Sequence, residues 1–197
     1  MKIFNYFDYN SYVTLTMFFI SLFVCFLGYI TKGKSTDYLF STERDSLLKL
    51  RTYIRLFTHI LGHADFEHLT GNYLMILLLG PLIEEKYGWI NFLIMILITA
   101  LITGLVNFIK GGTRLRGASC ISFMLIILSA FVNVTANKIP LTLVLIILFY
   151  LIDEIKNIRK SDNIAHYGHI TGAICGMVFG FLSLNSDLVN VIMSFVK

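Results

Sequence analysis

A serine lies between small residues where a charged loop enters an apolar run, in the stretch RGASCISFML at residues 116–125. Ser119 follows Gly117 and Ala118 at the start of a predicted helix. Free backbone N–H groups and the helix dipole favour developing negative charge at such a position. A nucleophile placed there therefore has part of an oxyanion hole supplied by the backbone, and it needs a base within hydrogen-bond reach.

The five histidines of the chain fall in two short segments, HILGHADFEHLTGN and AHYGHITGAICGMVFG. His68 and Asn72 are four residues apart, so a helix places them on one face, where they can act together. His169 lies just inside the last apolar run and is the best placed candidate base for Ser119. Since ionisable groups at membrane depth are costly, each histidine is a candidate functional residue.

Metal binding is an alternative interpretation of the same histidines. His59 and His63 have the four-residue spacing of helical zinc pairs, and His166 and His169 are three residues apart. No HExxH pattern occurs, and no carboxylate lies inside the apolar runs next to these histidines. We therefore expect neither a metal nor another cofactor.

Packing of two helices would bring the serine and histidine together. Glycines recur every four residues along the last apolar run, at Gly168, Gly172, Gly176 and Gly180. Such a stripe allows another helix to approach at close backbone distance. If the helix that begins at Ser119 packs there, the serine and His169 lie at similar depth. Asp153 and Glu154 are expected to cap the fifth apolar run, which leaves the pair without an orienting acid.

Apolar helices must position these residues. Of the 197 residues 56% are hydrophobic and 14% are charged, which is the composition of a membrane protein. A spanning helix needs about 20 mostly apolar residues. We predict an all-α integral membrane protein, a single domain over residues 1–197 with six transmembrane helices. The predicted spans are residues 13–30, 68–86, 90–109, 118–134, 139–155 and 164–184.

The long connection at residues 31–67 is predicted to have a structure of its own. Its stretch SLLKLRTYIRLF is typical of an amphipathic helix lying in the membrane interface. The net charge of +4 is modest and the basic residues lack interleaved aromatics, so nucleic acid is not an expected partner. The cysteines Cys25, Cys120 and Cys175 show no paired spacing and are expected to be small buried hydrophobes.

Three stretches resemble the rhomboid family of intramembrane serine proteases. IRLFTHILGHADFEHLTGNYLMILLLGPLIEEKYG is similar to the family's first-loop arginine, HxxxN pair and GxxxExxxG-type ending. GASC resembles the family's GxSG box, and AHYGHITGAICGMVFG resembles its last-helix motif. Six spans match the minimal bacterial form of the family.

The resemblance implies a Ser119/His169 dyad that hydrolyses peptide bonds in or next to the transmembrane helices of membrane-protein substrates. It also implies that His68, Asn72 and the backbone N–H of Ser119 bind the oxyanion. The expected partners are therefore transmembrane proteins and the lipid bilayer. The expected location is a cell membrane, crossed several times, such as a bacterial inner or plasma membrane.

Other residues receive structural roles from the same resemblance. Arg55 and Glu84 are expected to brace the first loop, while Gly117 and Gly172 are expected to support the site. The chain departs from the family pattern at Cys120 and Met124, where the family has glycines. A side chain at these positions is expected to narrow the site or tilt its helix.

Three alternatives stay open. The first is a catalytically weak or inactive rhomboid-like protein that binds membrane clients. The second is a small transporter or metal permease that uses the histidines. The third keeps a protease but makes Cys120 the nucleophile, although a neighbouring helical position points about 100° away from Ser119.

The distribution of basic residues and the family resemblance predict opposite orientations of the chain in the membrane. Most of the 16 lysines and arginines lie in or beside the first, third and fifth connections: Lys32, Lys34, Arg44, Lys49, Arg51, Arg55, Lys110, Arg114, Arg116, Lys156, Arg159 and Lys160. The positive-inside rule puts these connections in the cytoplasm. The resemblance implies a catalytic mouth that opens outward on the same connections, and we follow the resemblance.

Overall fold

A computed structural model describes residues 8–111, 114–132, 134, 138–157 and 166–184. Within these ranges the protein consists of helices and connecting turns, with one isolated antiparallel bridge between Thr42 and Leu115. The helices are α1 (Tyr12–Ile30), α2 (Lys34–Leu39), α3 (Leu50–Thr58), α4 (Phe66–Tyr87), α5 (Trp89–Lys110), α6 (Ser119–Ser129), α7 (Leu141–Ile146), α8 (Ile152–Asn157) and α9 (His166–Leu184). A 3₁₀ turn (His59–Leu61) follows α3, and a π-helical segment (Ile147–Leu151) joins α7 to α8.

The described residues contain four helices long and apolar enough to cross a membrane, namely α1, α4, α5 and α9. The predicted all-α membrane class is confirmed. The fourth predicted span is helical only over the 11 residues of α6. The fifth is divided into α7, the π-helical segment and α8 instead of forming one regular helix. The count of six spans therefore stays a prediction, and residues 164 and 165 at the start of the sixth lie outside the described ranges.

Helices α1 and α4 pack antiparallel. Tyr73 hydrogen-bonds Ser21 at 2.7 Å, whereas Glu84, at the other end of α4, accepts from the backbone N–H groups of Val13 and Thr14 at 2.9 and 3.1 Å. The first turn of a helix has N–H groups without intrahelical partners, and a carboxylate satisfies them well. Glu84 therefore caps α1 at the end away from the first loop, and the expectation that it braces that loop is wrong.

The first connection is tied to the loop between α5 and α6 by charged side chains. The guanidinium of the buried Arg55 donates to Glu43 at 3.0 Å, and Glu43 also accepts from Arg114 at 3.0 Å. Burial alone would raise the pKa of the Glu43 carboxyl, but hydrogen bonds from both arginines hold that pKa below its ordinary value. Arg55 and Arg114 thus share one carboxylate, which links α3 to the loop before α6.

Helix α3 overlaps the stretch predicted to form an amphipathic helix in this connection. It begins at Leu50, so Leu47 and Leu48 precede it and are exposed. The 3₁₀ turn after α3 leads directly to the start of α4, where the side chain of Asp65 accepts from the backbone N–H of His68 at 2.8 Å. This N-cap fixes where α4 begins and therefore places His68 in the first turn of that helix.

Helix α6 lies at the centre of the bundle and packs against α4, α5 and α9. A Cβ atom added to Gly172 would overlap the backbone oxygen of Cys120, and one added to Gly176 would lie 2.5 Å from the backbone oxygen of Met124. The glycines of α9 therefore permit direct backbone contact with α6. This confirms the expected packing of the glycine stripe on the helix that begins at Ser119.

Gly172→Ala is expected to lower the free energy of unfolding by about 1 to 3 kcal/mol, because backbone must move to admit the new methyl group. The measurement is thermal unfolding in detergent micelles. Gly71→Ala is the matched control, since a Cβ atom there meets nothing within 4 Å and adds helix propensity of roughly 0.5 to 1 kcal/mol. Equal melting temperatures for the two variants would contradict the close contact between α6 and α9.

Candidate active site

Ser119 is the first residue of α6 and is partly exposed, whereas Ala118 and Cys120 on either side are buried. The chain enters the helix through Gly117, whose φ of +120° is a conformation that residues with a side chain rarely adopt. The backbone N–H of Gly117 donates to the carbonyl of His59 at 3.0 Å. This turn presents the serine hydroxyl at the open end of an otherwise buried helix.

Two polar side chains of α4 converge on the turn before the serine. A Cβ atom on Gly117 would lie 2.9 Å from Nε2 of His68 and 3.2 Å from Nδ2 of Asn72. Nδ1 of His68 accepts a long hydrogen bond, 3.5 Å, from the backbone N–H of Ala64, which assigns the proton to Nε2. Nδ2 of Asn72 is buried and has no hydrogen-bond partner within the described part of the chain. Two N–H donors thus face Gly117, two residues before Ser119.

Hydrogen bonds between elements hold this arrangement. The hydroxyl of Ser122 donates to the backbone oxygen of Asn72 at 3.1 Å and fixes α6 against α4. Nε2 of His63 accepts from the backbone N–H of Ala118 at 3.4 Å. Burial lowers the pKa of His63 to about 4, so at neutral pH its ring is uncharged and able to accept. His63 therefore supports the turn that carries the serine.

The histidine pair proposed from the four-residue spacing does not form. Nε2 of His59 donates to the backbone oxygen of Ala100 on α5 at 3.0 Å, and burial lowers the pKa of His59 to about 4. His63 instead faces Ala118, because the 3₁₀ turn ends at Leu61 and the two histidines do not share a helix face. The interpretation of His59 and His63 as a zinc pair is wrong.

His169 lies in the first turn of α9, beside the start of α6. Its ring stacks on Phe123, one turn after Ser119, with the ring centroids 4.3 Å apart and the planes 7° apart. Between the described side chains of Ser119 and His169 no hydrogen bond is formed. Catalytic hydrogen bonds in free enzymes are often long and tighten with substrate. The fold therefore makes the two residues neighbours without completing the pair.

The Rhomboid domain model matches residues 50–186, which is more than half of the chain. The chain belongs to the rhomboid family. A search of curated proteins finds no match. Rhomboid proteins are generally serine intramembrane proteases, and the matched region contains all the site residues described above. With its long apolar helices, this rhomboid is a multi-pass protein of the lipid bilayer.

One residue of the rhomboid site was missed from the sequence. Oε2 of Glu154, on α8, lies 2.6 Å from Nδ1 of His166 and 3.0 Å from Nδ1 of His169. The shorter contact is a hydrogen bond, whereas the longer one is an ion-pair distance without hydrogen-bond alignment. The sequence assigned Glu154 to a cap of the fifth run and left the pair without an orienting acid, whereas the structure places this carboxylate against both histidines. The sequence did contain one indication of this contact, because Glu154 lies at the end of one apolar run, just before the loop that leads to the two histidines.

Among the described residues of this rhomboid, these three side chains form the one group close enough together to hold a metal ion. Donor atoms of Glu154, His166 and His169 all lie within 4.8 Å of one another. Two histidines and a glutamate form a ligand set that zinc accepts. A hydrogen bond of 2.6 Å between Glu154 and His166 accounts for their contact without a cation.

The residues that depart from the family pattern pack inside the rhomboid core. The side chain of Cys120 is 2% exposed and belongs to the main apolar cluster, as does Met124. The close approach of Gly172 involves the backbone oxygen of Cys120, not its thiol. The cysteine side chain therefore lies in the apolar core, and its burial argues against a thiol nucleophile.

Proposed function

We propose that this rhomboid is an intramembrane serine protease with Ser119 as nucleophile and His169 as base. The observation that carries the proposal is the convergence of Nε2 of His68 and the unpartnered Nδ2 of Asn72 on Gly117, two residues before the serine. N–H donors aimed at one small space, one of them buried and the other partly buried, are what a developing oxyanion requires. A core that served packing alone has no need to leave a buried amide unpaired.

In the proposed reaction Oγ of Ser119 attacks the carbonyl carbon of a peptide bond in or next to a transmembrane helix. The hydroxyl proton passes to His169, and the oxyanion accepts from His68, Asn72 and the backbone N–H of Ser119. His169 then protonates the leaving amine, and water hydrolyses the acyl-enzyme. The N-terminus of α6 adds a favourable dipole throughout.

The proposed protease would cross the membrane six times and open its active site to the outside. α6 and the segmented α7 to α8 would act as the fourth and fifth of six spans, with the catalytic mouth facing outward from a bacterial inner or plasma membrane. Water would reach Ser119 through the opening at the start of α6, because polar backbone at membrane depth is tolerated only where it lines an aqueous cavity or is buried in protein.

A second function is favoured by one observation. The described side chains of Ser119 and His169 do not hydrogen-bond, and Nδ1 of His169 lies beside Glu154. A rhomboid-like protein that binds membrane clients without cleaving them needs no such hydrogen bond. The two functions differ in whether the serine is activated.

A fluorophosphonate probe, which labels only activated serines, separates them. We expect labelling of the purified protein in detergent micelles on the peptide that contains Ser119, and none in Ser119→Ala. Ser129→Ala is the matched control and should still be labelled. Ser129 lies on the same helix, and its hydroxyl donates to the backbone oxygen of Ile126 at 2.8 Å. Failure of the native protein both to react and to cleave a transmembrane substrate would favour the binding function.

A further inference from the structure

A carboxylate lies between the two histidines of the last helix. Oε2 of Glu154 lies 2.6 Å from Nδ1 of His166 and 3.0 Å from Nδ1 of His169. The three side chains are largely shielded from solvent, with exposed fractions of 16% for Glu154, 6% for His166 and 13% for His169. A carboxylate held in such a place interacts strongly with a neighbouring imidazole, because water does not screen it.

The His169 nitrogen that faces Glu154 is Nδ1, and this determines which nitrogen can act as the base. A base that takes a proton through Nε2 must carry its own proton on Nδ1, and a carboxylate at Nδ1 favours that tautomer. The same carboxylate stabilises the imidazolium formed once the serine proton has moved. With Nδ1 of His169 directed to Glu154, Nε2 is the nitrogen left for Ser119.

We propose that Glu154 is a positioning residue for His169, so that the proposed Ser119/His169 pair works as a serine, histidine and glutamate triad. The inference rests on the proposed protease function. It adds an acid that the pair of residues lacks, supplied by α8 from outside the motifs that carry the family resemblance.

Two further contacts restrict the geometry. His166 holds the carboxylate from one side through the 2.6 Å hydrogen bond. Phe123 stacks on the His169 ring at 4.3 Å, so the imidazole is confined to one plane. Turning the ring about its Cβ–Cγ bond would break this stacking, so only two orientations, related by a 180° flip, keep it. Attraction between Nδ1 and Glu154 favours the one observed.

The test compares Glu154→Gln with Glu154→Asp, by cleavage of a fluorescent transmembrane substrate in proteoliposomes. Glutamine keeps the size of glutamate and one accepting oxygen but loses the charge. We expect Glu154→Gln to lower kcat by about 10- to 100-fold, with little change in KM. Glu154→Asp is expected to recover part of the loss. A purely structural role predicts the opposite order, since glutamine fits the space better than aspartate.

Glu85→Gln, an exposed glutamate on α4, is the matched control and is expected to retain wild-type kcat. A wild-type kcat in Glu154→Gln, while Ser119→Ala is inactive, would overturn the triad and leave the protease function intact. Cleavage that persists in Ser119→Ala would overturn both. If Glu154→Gln does not fold, His166→Leu removes the hydrogen bond that holds the carboxylate. Its kcat is expected to fall by roughly 10-fold, and an unchanged kcat would reject the proposal.

Discussion

Cleavage of a transmembrane substrate is expected to fall by about 10⁴- to 10⁶-fold in His169→Ala, to the residual rate of Ser119→Ala. Without the imidazole, the serine hydroxyl has no group to accept its proton at neutral pH. The substitution removes a ring that stacks on Phe123 but leaves Gly172 in contact with α6, so the two helices keep their closest contact. The measurement is kcat in proteoliposomes, with helicity followed as a check on folding.

The double variant Ser119→Ala/His169→Ala is the decisive addition. Nucleophile and base act as a unit, so removing both is expected to cost no more than removing either one. Val178→Ala, at an exposed position of the same helix, is the matched control and should retain wild-type kcat. If the double variant is slower by the product of the two single effects, the residues act independently and no dyad exists.

Features set by short-range pattern were predictable from the sequence. The i, i+4 spacing of His68 and Asn72 sufficed to put both on one face of α4, and both now face Gly117. The four-residue period of glycines on α9 identified its packing face, because small residues, glycine above all, let two helix backbones approach closely. Ser119 could be assigned to a helix start from the small residues before it and the apolar run after it.

Partners supplied by distant elements were not predictable in the same way. Glu84 was expected to brace the first loop, but the antiparallel packing of α4 on α1 directs its carboxylate to the backbone N–H groups of Val13 and Thr14. Glu154 was assigned to a helix cap, but the helix that carries it ends beside the start of α9 and directs it to His169. A carboxylate at a helix end has several possible partners, and only tertiary structure selects among them.

Asn72→Ala and His68→Ala are each expected to lower kcat by about 10²- to 10³-fold, the second largest effect after loss of the dyad. Each removes one N–H donor from the oxyanion, while the backbone N–H of Ser119 and the other side chain remain. KM should change little, because these hydrogen bonds strengthen only as negative charge develops on the substrate oxygen. The measurement is steady-state cleavage by both variants in proteoliposomes, with fluorophosphonate labelling of Ser119 to confirm that the site is intact.

Asn72→Asp separates oxyanion binding from packing. Aspartate has the shape of asparagine, so a structural role predicts that it is tolerated better than alanine. A carboxylate next to the oxyanion repels it, so the catalytic role predicts a kcat below that of Asn72→Ala. Asn91→Asp is the matched control, since its amide donates to the backbone oxygen of Tyr87 at 2.8 Å, near the start of α5 and away from Ser119. If Asn72→Asp cleaves as fast as the native protein, Asn72 does not bind the oxyanion and its unpaired amide needs another explanation.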